Sequence, residues 1–373
     1  MCRVKTFQRY LNFYDEGLSF EDAAEEGSIR TIEIFPARDY GIAYSADERR
    51  DIMKSSAAEL DQVRLVFKMA QLHDVTVLGS SGVTVSNRHG LALHMGRIKG
   101  KMPRNWVVAR PLAAISGEAS VTYVNLLGVR KGHRHFAHFF WDMLIPTMVY
   151  LKHWHDPAQK VVFLTRTDLS SIQRDAFRFI AAEYPGVAFE ALSENRKLVC
   201  PNSIFIAYQN RLHGRDNILA RDYLLAMRDL FVRHYGIEPI PVENRRRIYV
   251  SRGNVKLRRL KNEKAILDIL TGYGFETHDP GSLPFKEQAA LFAAAETVVS
   301  IHGSGLTNLM FSPPETRVLE IFPSNFADDS FIKLSKAMGL HYRHLIGGKG
   351  DLRQDFSVDI NEFEQLLLKL LNR

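Results

Sequence analysis

Cysteine is almost missing from this chain of 373 residues. Cys2 and Cys200 are the only two, which excludes a disulfide framework and a thiolate zinc set and suits free thiols in a reducing compartment. Long apolar runs are missing as well. The nearest approach to the roughly 20 apolar residues of a bilayer span is Ala289 to Ile301, interrupted by Glu296. The first residues, Met1 to Tyr10, hold no apolar h-region, so the expectation is a cytoplasmic chain. Internal repeats and low-complexity blocks are also lacking, which removes solenoids and propellers.

What is present is ordinary globular composition, 46% hydrophobic and 24% charged, with a net charge of +7. The length suggests two domains. The positive balance suits an anionic partner: nucleic acid, an acidic membrane surface or a phosphorylated small molecule. Charge alone does not choose, and an excess of Lys and Arg is more often a solvated surface than a nucleic-acid footprint.

Element order says more. From Asp74 to Val124, short β-rich runs (Val75 to Leu78, Gly82 to Val85, Trp106 to Val108) alternate with turn signals, forming a strand-rich entry region. Lys160 to Leu164 reads as a buried strand, and Ser170 to Tyr184 as a helix ending before Pro185-Gly186. A long helix is expected from Leu219 to Tyr235. The two-proline segment from Gly236 to Asn244 reads as a linker, so the division expected is 1–236, a linker at 237–246, and 247–373. Beyond it the alternation is regular. Strands at Arg247 to Val250, Phe275 to His278, Thr297 to Ile301 and Val318 to Phe322 are separated by helices at Asn262 to Leu270, Phe285 to Ala295 and from near Gly305. Strands spaced by helices make βαβ units and a parallel sheet, so the C-terminal half is expected to be Rossmann-like.

The strongest local signal runs from Val298 through Ile301 into His302, Gly303, Ser304, Gly305, Leu306, Thr307 and Asn308. An apolar strand entering a glycine turn and then a helix suits a diphosphate, since glycine admits close backbone approach and helix-start N–H groups attract anions. A tight βα turn without a ligand is the alternative. Ser251 and Arg252 end an upstream strand, where ligands of open α/β sheets bind. Arg258 and Arg259 follow, with the guanidinium geometry that suits phosphate. Glu320 ends a further strand and is a candidate acceptor for ribose hydroxyls, or an ordinary strand-end carboxylate.

Five ordered blocks between Arg247 and Pro323 resemble the glycosyltransferase 61 family. They are Ser251-Arg252, Arg258-Arg259-Leu260-Lys261-Asn262-Glu263, Phe285-Lys286-Glu287-Gln288, the His302 to Asn308 turn and Glu320-Ile321-Phe322-Pro323. A sixth block, His135 to Pro146, carries His138, Phe139, Asp142 and a Leu144 to Pro146 portion. It departs from the family pattern in having His135 where Asn is usual and an extra Ile145. The resemblance implies an α/β protein of GT-B architecture, two Rossmann-like domains facing each other across a cleft, the second binding a nucleotide diphosphate sugar. It further implies inverting transfer from a UDP-sugar to a hydroxyl of a glycan or lipid-linked glycan acceptor, with capsule or lipopolysaccharide synthesis as the context.

On a helix His138 and Asp142 share a face at i and i+4, and either could take the acceptor proton. Packing in a domain interface is the alternative for this cluster. His133, His135 and His138 have no cysteine and one acid nearby, which argues against a metal site. No Asp-x-Asp occurs, so neither metal nor cofactor is expected, and Arg252, Arg258, Arg259 and backbone N–H groups would meet the diphosphate charge. A nicotinamide-dependent oxidoreductase is the rival fold-level reading, weakened by Asn308 where a third glycine would fall. Nucleic-acid binding would need exposed aromatics among the basic residues. The last helix, Ile360 to Leu371, is amphipathic, so it either packs in the protein or touches the inner face of a membrane.

Overall fold

The computed structural model describes residues 29–34, 45–51, 65–79, 82–86, 92–93, 112–127, 135–209, 220–252 and 255–372. Trp106 to Val108, Cys2 and His133 lie outside them. The chain divides into two compact units, Met1–Ile34 with Leu65–Gly214, and Phe35–Arg64 with Arg215–Arg373.

In chain order the elements begin with β1 (Ile29–Ile34), α1 (Ala46–Asp51), β2 (Leu65–Leu78), β3 (Thr84–Ser86), β4 (Ala92–Leu93), β5 (Ala113–Ser116) and β6 (Val121–Asn125). A continuous helix α2 follows, α-helical over Phe136–His138, π-helical over Phe139–Leu144 and α-helical again over Ile145–His153. Then come β7 (Lys160–Thr165), α3 (Ser171–Glu183), β8 (Val187–Ala191) and β9 (Arg196–Gln209). All but α1 belong to the first unit. Its mixed sheet has the order β4-β3-β2-β9-β6-β7-β8, with β1 added on β2 and β5 on β9. The Val75 to Leu78 run is the end of a 14-residue strand, because β2 pairs antiparallel with β9 along its length. α3 starts on a reciprocal Ser170–Gln173 capping box, and Gly186, at φ 77°, turns the chain into β8. Phe177 stacks on Phe189 and Phe189 on Phe163, closing the core under α3.

The second unit contains α4 (Arg221–Tyr235), β10 (Arg246–Val250), α5 (Glu263–Gly272), β11 (Phe275–His278), α6 (Phe285–Ala293), β12 (Ala295–Ile301), a 3-10 helix (Ser304–Phe311), β13 (Arg317–Pro323), α7 (Ser330–Met338), β14 (His341–Gly347) and α8 (Ile360–Leu371). Its five strands are all parallel, in the order β11-β10-β12-β13-β14. The chain leaves β10 toward β11 on one side and continues from β12 toward β13 on the other. The carboxyl ends of β10 and β12 therefore flank the switch point at which doubly wound sheets bind ligands.

Three features differ from the sequence expectation. α4 belongs with the second unit, upstream of the 237–246 segment, because Phe231 packs edge-on against Phe285 and Phe311 there. The turn after Gly303 is a 3-10 helix and not an α-helix: the Leu306 N–H donates to the Gly303 carbonyl three residues back. The last helix turns its apolar face inward: Phe363, Leu367 and Leu370 join Tyr249, Val299 and Leu319 in one core. α8 is thus a packing helix, and that face is not available to a bilayer. Among the described residues no helix is long and apolar enough to cross a membrane.

Candidate active site

The parallel register puts Val250 beside Ser300, so Ser251 and Arg252 leave β10 next to His302 and Gly303 leaving β12. Each strand end is anchored. The Tyr249 hydroxyl (2.8 Å) and the Ser251 hydroxyl (3.0 Å) donate to Glu263 Oε1 in the first turn of α5. The 258–262 loop is held by the segment preceding α8: Arg258 N–H donates to the Arg353 carbonyl (2.9 Å), and Asn262 bonds Val358 through both amide atoms. This loop carries Arg258 at φ 58°, a left-handed conformation that a non-glycine residue keeps only when its surroundings enforce it.

Arg252 and Arg258 form the basic centre of the site. Arg252 Nη2 donates to the Leu257 carbonyl at 3.2 Å, while Arg258 lies 4.8 Å over the ring of Phe326. The Nε atoms of both are buried without a hydrogen-bond partner. Burial, with the neighbouring Arg258 charge, pushes the Arg252 guanidinium down to about 10, and burial lowers Arg258 as well. Two partly buried cations side by side, each with an Nε that no protein group accepts from, form a strongly positive spot at the end of β10.

Arg259, expected beside them, is engaged elsewhere. Its backbone N–H donates to Asp355 Oδ1 and its guanidinium to Asp355 Oδ2 at 3.1 and 2.9 Å. That fork clamps the loop and is spent on protein. Glu320, expected as a ribose acceptor, is fully buried with both oxygens occupied. His302 Nδ1 lies 2.6 Å from Oε1, and the Tyr342 hydroxyl donates to Oε2 at 2.6 Å. It braces the glycine turn from below. Burial lowers the His302 imidazole despite Glu320, so the ring is held neutral between Phe322, Phe326 and Phe331.

The two glycines of the turn serve different ends. Gly303 has an extended backbone (φ 175°), yet a Cβ there would run into the Arg252 guanidinium. Space for Arg252 is what it provides. A Cβ at Gly305 would meet only Val250 Cγ1 at 3.5 Å, an ordinary contact, so neither packing nor conformation requires glycine there. The open space beside it would let a ligand approach the backbone closely. Gly305→Ala is therefore expected to leave thermal stability unchanged and to weaken anion binding about tenfold, read by calorimetric titration; equal affinity in both proteins would assign the turn to folding alone. Ser304 is exposed, while Leu306, Thr307 and Asn308 are buried. The Asn308 amide reaches Gln288 Oε1 (3.1 Å), and Gln288 in turn donates to the Leu283 carbonyl (2.9 Å). The Phe285 to Gln288 block and the glycine turn are thus one hydrogen-bonded structure.

In the first unit His138 Nδ1 and Asp142 Oδ2 are 2.8 Å apart, the contact that i, i+4 spacing leads one to expect. The π segment starts at Phe139, between them, while Phe139, Phe140 and Trp141 anchor it in the core. The His138 side chain retains 24% of its exposure against 12% for Asp142, and Asp142 Oδ1 is buried without a partner. With one carboxylate oxygen holding Nδ1, Nε2 is the ring atom left for chemistry. His135 sits edge-on to His138 at 5.8 Å. Among the described residues no three His, Cys, Asp or Glu side chains gather as metal ligands would.

Sequence reasoning missed Tyr342 and Asp355. Both lie in the stretch after Pro323 where no motif was visible, although α7 and β14 continue the βαβ alternation there.

Comparison with known proteins finds a family and two relatives. Residues 136–319, just under half of the chain, match the family model described as Glycosyltransferase 61. The matched stretch includes His138, Asp142, Arg252, Arg258 and the His302 to Asn308 turn. A β-1,2-xylosyltransferase of rice, Oryza sativa subsp. japonica, is 30% identical over 165 residues, covering 41% of this chain and 28% of the rice protein. An EGF domain-specific O-linked N-acetylglucosamine transferase of Drosophila melanogaster is 28% identical over 146 residues, covering 34% of this chain and 28% of the fly protein. The shared stretch thus spans little more than a quarter of either relative. Over this stretch the chain is similar to the Glycosyltransferase 61 family and to two proteins named as sugar transferases.

Proposed function

We propose that this chain transfers a sugar from a nucleotide diphosphate sugar, with UDP as the nucleotide, to a hydroxyl of a glycan acceptor, with inversion and without a metal. The observation that carries the reading is the pair Arg252 and Arg258, both with buried and unbonded Nε atoms, Arg252 packed against Gly303 of the glycine turn and Arg258 beside Arg252. In the reaction a base takes the acceptor proton, the acceptor oxygen bonds to the anomeric carbon, and the bond from that carbon to the diphosphate breaks. The charge that develops on the leaving diphosphate is met by the two guanidiniums and the N–H groups of the turn, already oriented before reaction. His138 serves as the base, with Asp142 holding its ring; the more exposed member of the pair is the one an acceptor can reach. The GT-B pairing of the two units, a cytoplasmic location and a capsular or lipopolysaccharide product belong to the same proposal and rest on the family resemblance.

The test is a thermal-shift series of the purified protein against UDP, GDP, CMP, ADP and NAD in large excess, with and without EDTA, because a ligand bound only by the folded state raises its melting temperature. UDP is expected to stabilise, equally in EDTA. Stabilisation by NAD alone, or by UDP only with a divalent ion, would overturn the donor or the metal-free part of the reading. His138→Ala is expected to keep the UDP response and lower kcat by about 100-fold or more. Asp142→Asn should lower it less, since an amide still orients the ring. Loss of UDP binding in either variant would move the pair from acceptor to donor chemistry.

A further inference from the structure

Among the described residues six large apolar side chains are well exposed, and three of them, Val255, Leu257 and Leu352, stand on two loops joined to each other. The Arg258 to Arg353 backbone bond and the parallel bridge of Leu260 with Phe356 align these loops, so that Leu257 and Leu352 each precede a paired residue by one position. Leu352 is fully exposed, at 104%, and Leu257 half exposed, at 52%. Both tips are basic. Lys256 lies between Val255 and Leu257, Lys349 and Arg353 flank Leu352, and all three cations are exposed and make no ion pair among the described residues. The two nearby acids, Asp351 and Asp355, are already paired with Lys261 and Arg259, each at 2.9 Å.

We propose that these two loop tips dock the protein on an anionic lipid surface, with Val255, Leu257 and Leu352 entering the interface and Lys256, Lys349 and Arg353 facing acidic headgroups. Apolar side chains offered together with unpaired cations suit the headgroup boundary of a bilayer, where burial of hydrocarbon and attraction to acidic lipids act together. A protein partner would ordinarily supply a broader, continuous apolar patch. The surface carries one functional consequence: the Leu257 carbonyl holds Arg252, so the docked loop is directly bonded to the basic centre of the site. An acceptor carried on a lipid would then be delivered beside the donor site.

Co-sedimentation with vesicles tests this without reference to sugar transfer. The full chain is expected to pellet with phosphatidylcholine vesicles containing about 30% phosphatidylserine, to stay in solution with phosphatidylcholine alone, and to be released by high salt. Val255→Ser/Leu352→Ser is expected to weaken partitioning about tenfold, since it removes two apolar anchors. Lys256→Gln/Lys349→Gln should abolish the preference for acidic lipid. Retention of the UDP-induced thermal shift in these variants verifies that they are folded. Failure of the wild-type chain to bind acidic vesicles, or equal binding by Val255→Ser/Leu352→Ser, overturns the proposal. Loss of the UDP response with vesicle binding intact overturns it too, by assigning the loops to the donor pocket.

Discussion

Arg252→Ala is expected to remove UDP binding while leaving the unliganded protein as stable as the wild type, or more so. The guanidinium stands at the β10/β12 switch point with its Nε buried and unpartnered and Arg258 beside it, so in the unliganded protein it contributes desolvation cost and like-charge repulsion. Removing it relieves both. With a diphosphate bound, the same group supplies charge-assisted hydrogen bonds, each of which contributes about 1.5–3 kcal/mol. An affinity loss of about a hundredfold or more is the expected size, measured by calorimetric titration with UDP. Opposite signs on stability and binding are what distinguish a functional arginine from a structural one. A variant that melts several degrees lower and still binds UDP would make Arg252 a packing residue. Arg259→Ala is the internal control. Its fork is closed on Asp355, so it should lower stability by loosening the 258–262 loop and affect binding only through that loop.

Glu320→Ala carries the largest expected effect on stability. It leaves the His302 ring and the Tyr342 hydroxyl without partners in a fully buried place, and breaking such a network typically costs about 3–5 kcal/mol. For a unit of this size that corresponds to a fall in Tm of about 10 °C. Glu320→Gln should cost less, because a neutral imidazole can exchange tautomer and accept from the new amide. A loss below about 1 kcal/mol in the alanine variant would contradict the bracing role. The same network sets an acid limit. Burial holds the folded-state pKa of His302 below its unfolded value of about 6.5. The unfolded chain therefore takes up the proton first as pH falls, and stability present above pH about 6.5 is eroded through the depressed folded value. His302→Asn should flatten that slope in urea unfolding measured between pH 5 and 7.

Particular residues show how far the sequence could be read. Four of the five strands of the second unit were legible because each is a short apolar run ended by a polar or glycine turn, whereas β14, with His341, Arg343 and His344, was not expected. β10, β11, β12 and β13 all lie within a residue or two of their expected limits. α8 was legible to the residue, from Ile360 to Leu371. β9 was not, since its 14 residues include Pro201 and Asn202 and no alternation, and it is held by pairing with β2 across more than a hundred positions. Such long-range pairing leaves little local trace.

What the sequence determined by itself about this protein was the order of its βαβ elements, the glycine turn after β12 and the pool of arginines near it. These depend on local patterns: apolar runs, caps and residues that permit close backbone approach. Only the tertiary structure separated Arg252 and Arg258 from Arg259, turned Glu320 from a candidate ligand into a buried brace, and brought Tyr342 and Asp355 to the site. The physical reason is that a charged side chain's role depends on who its partner is and how much water remains. Asp355 lies 96 positions from Arg259, and Tyr342 lies 22 from Glu320. Those distances along the chain close only when the sheet forms.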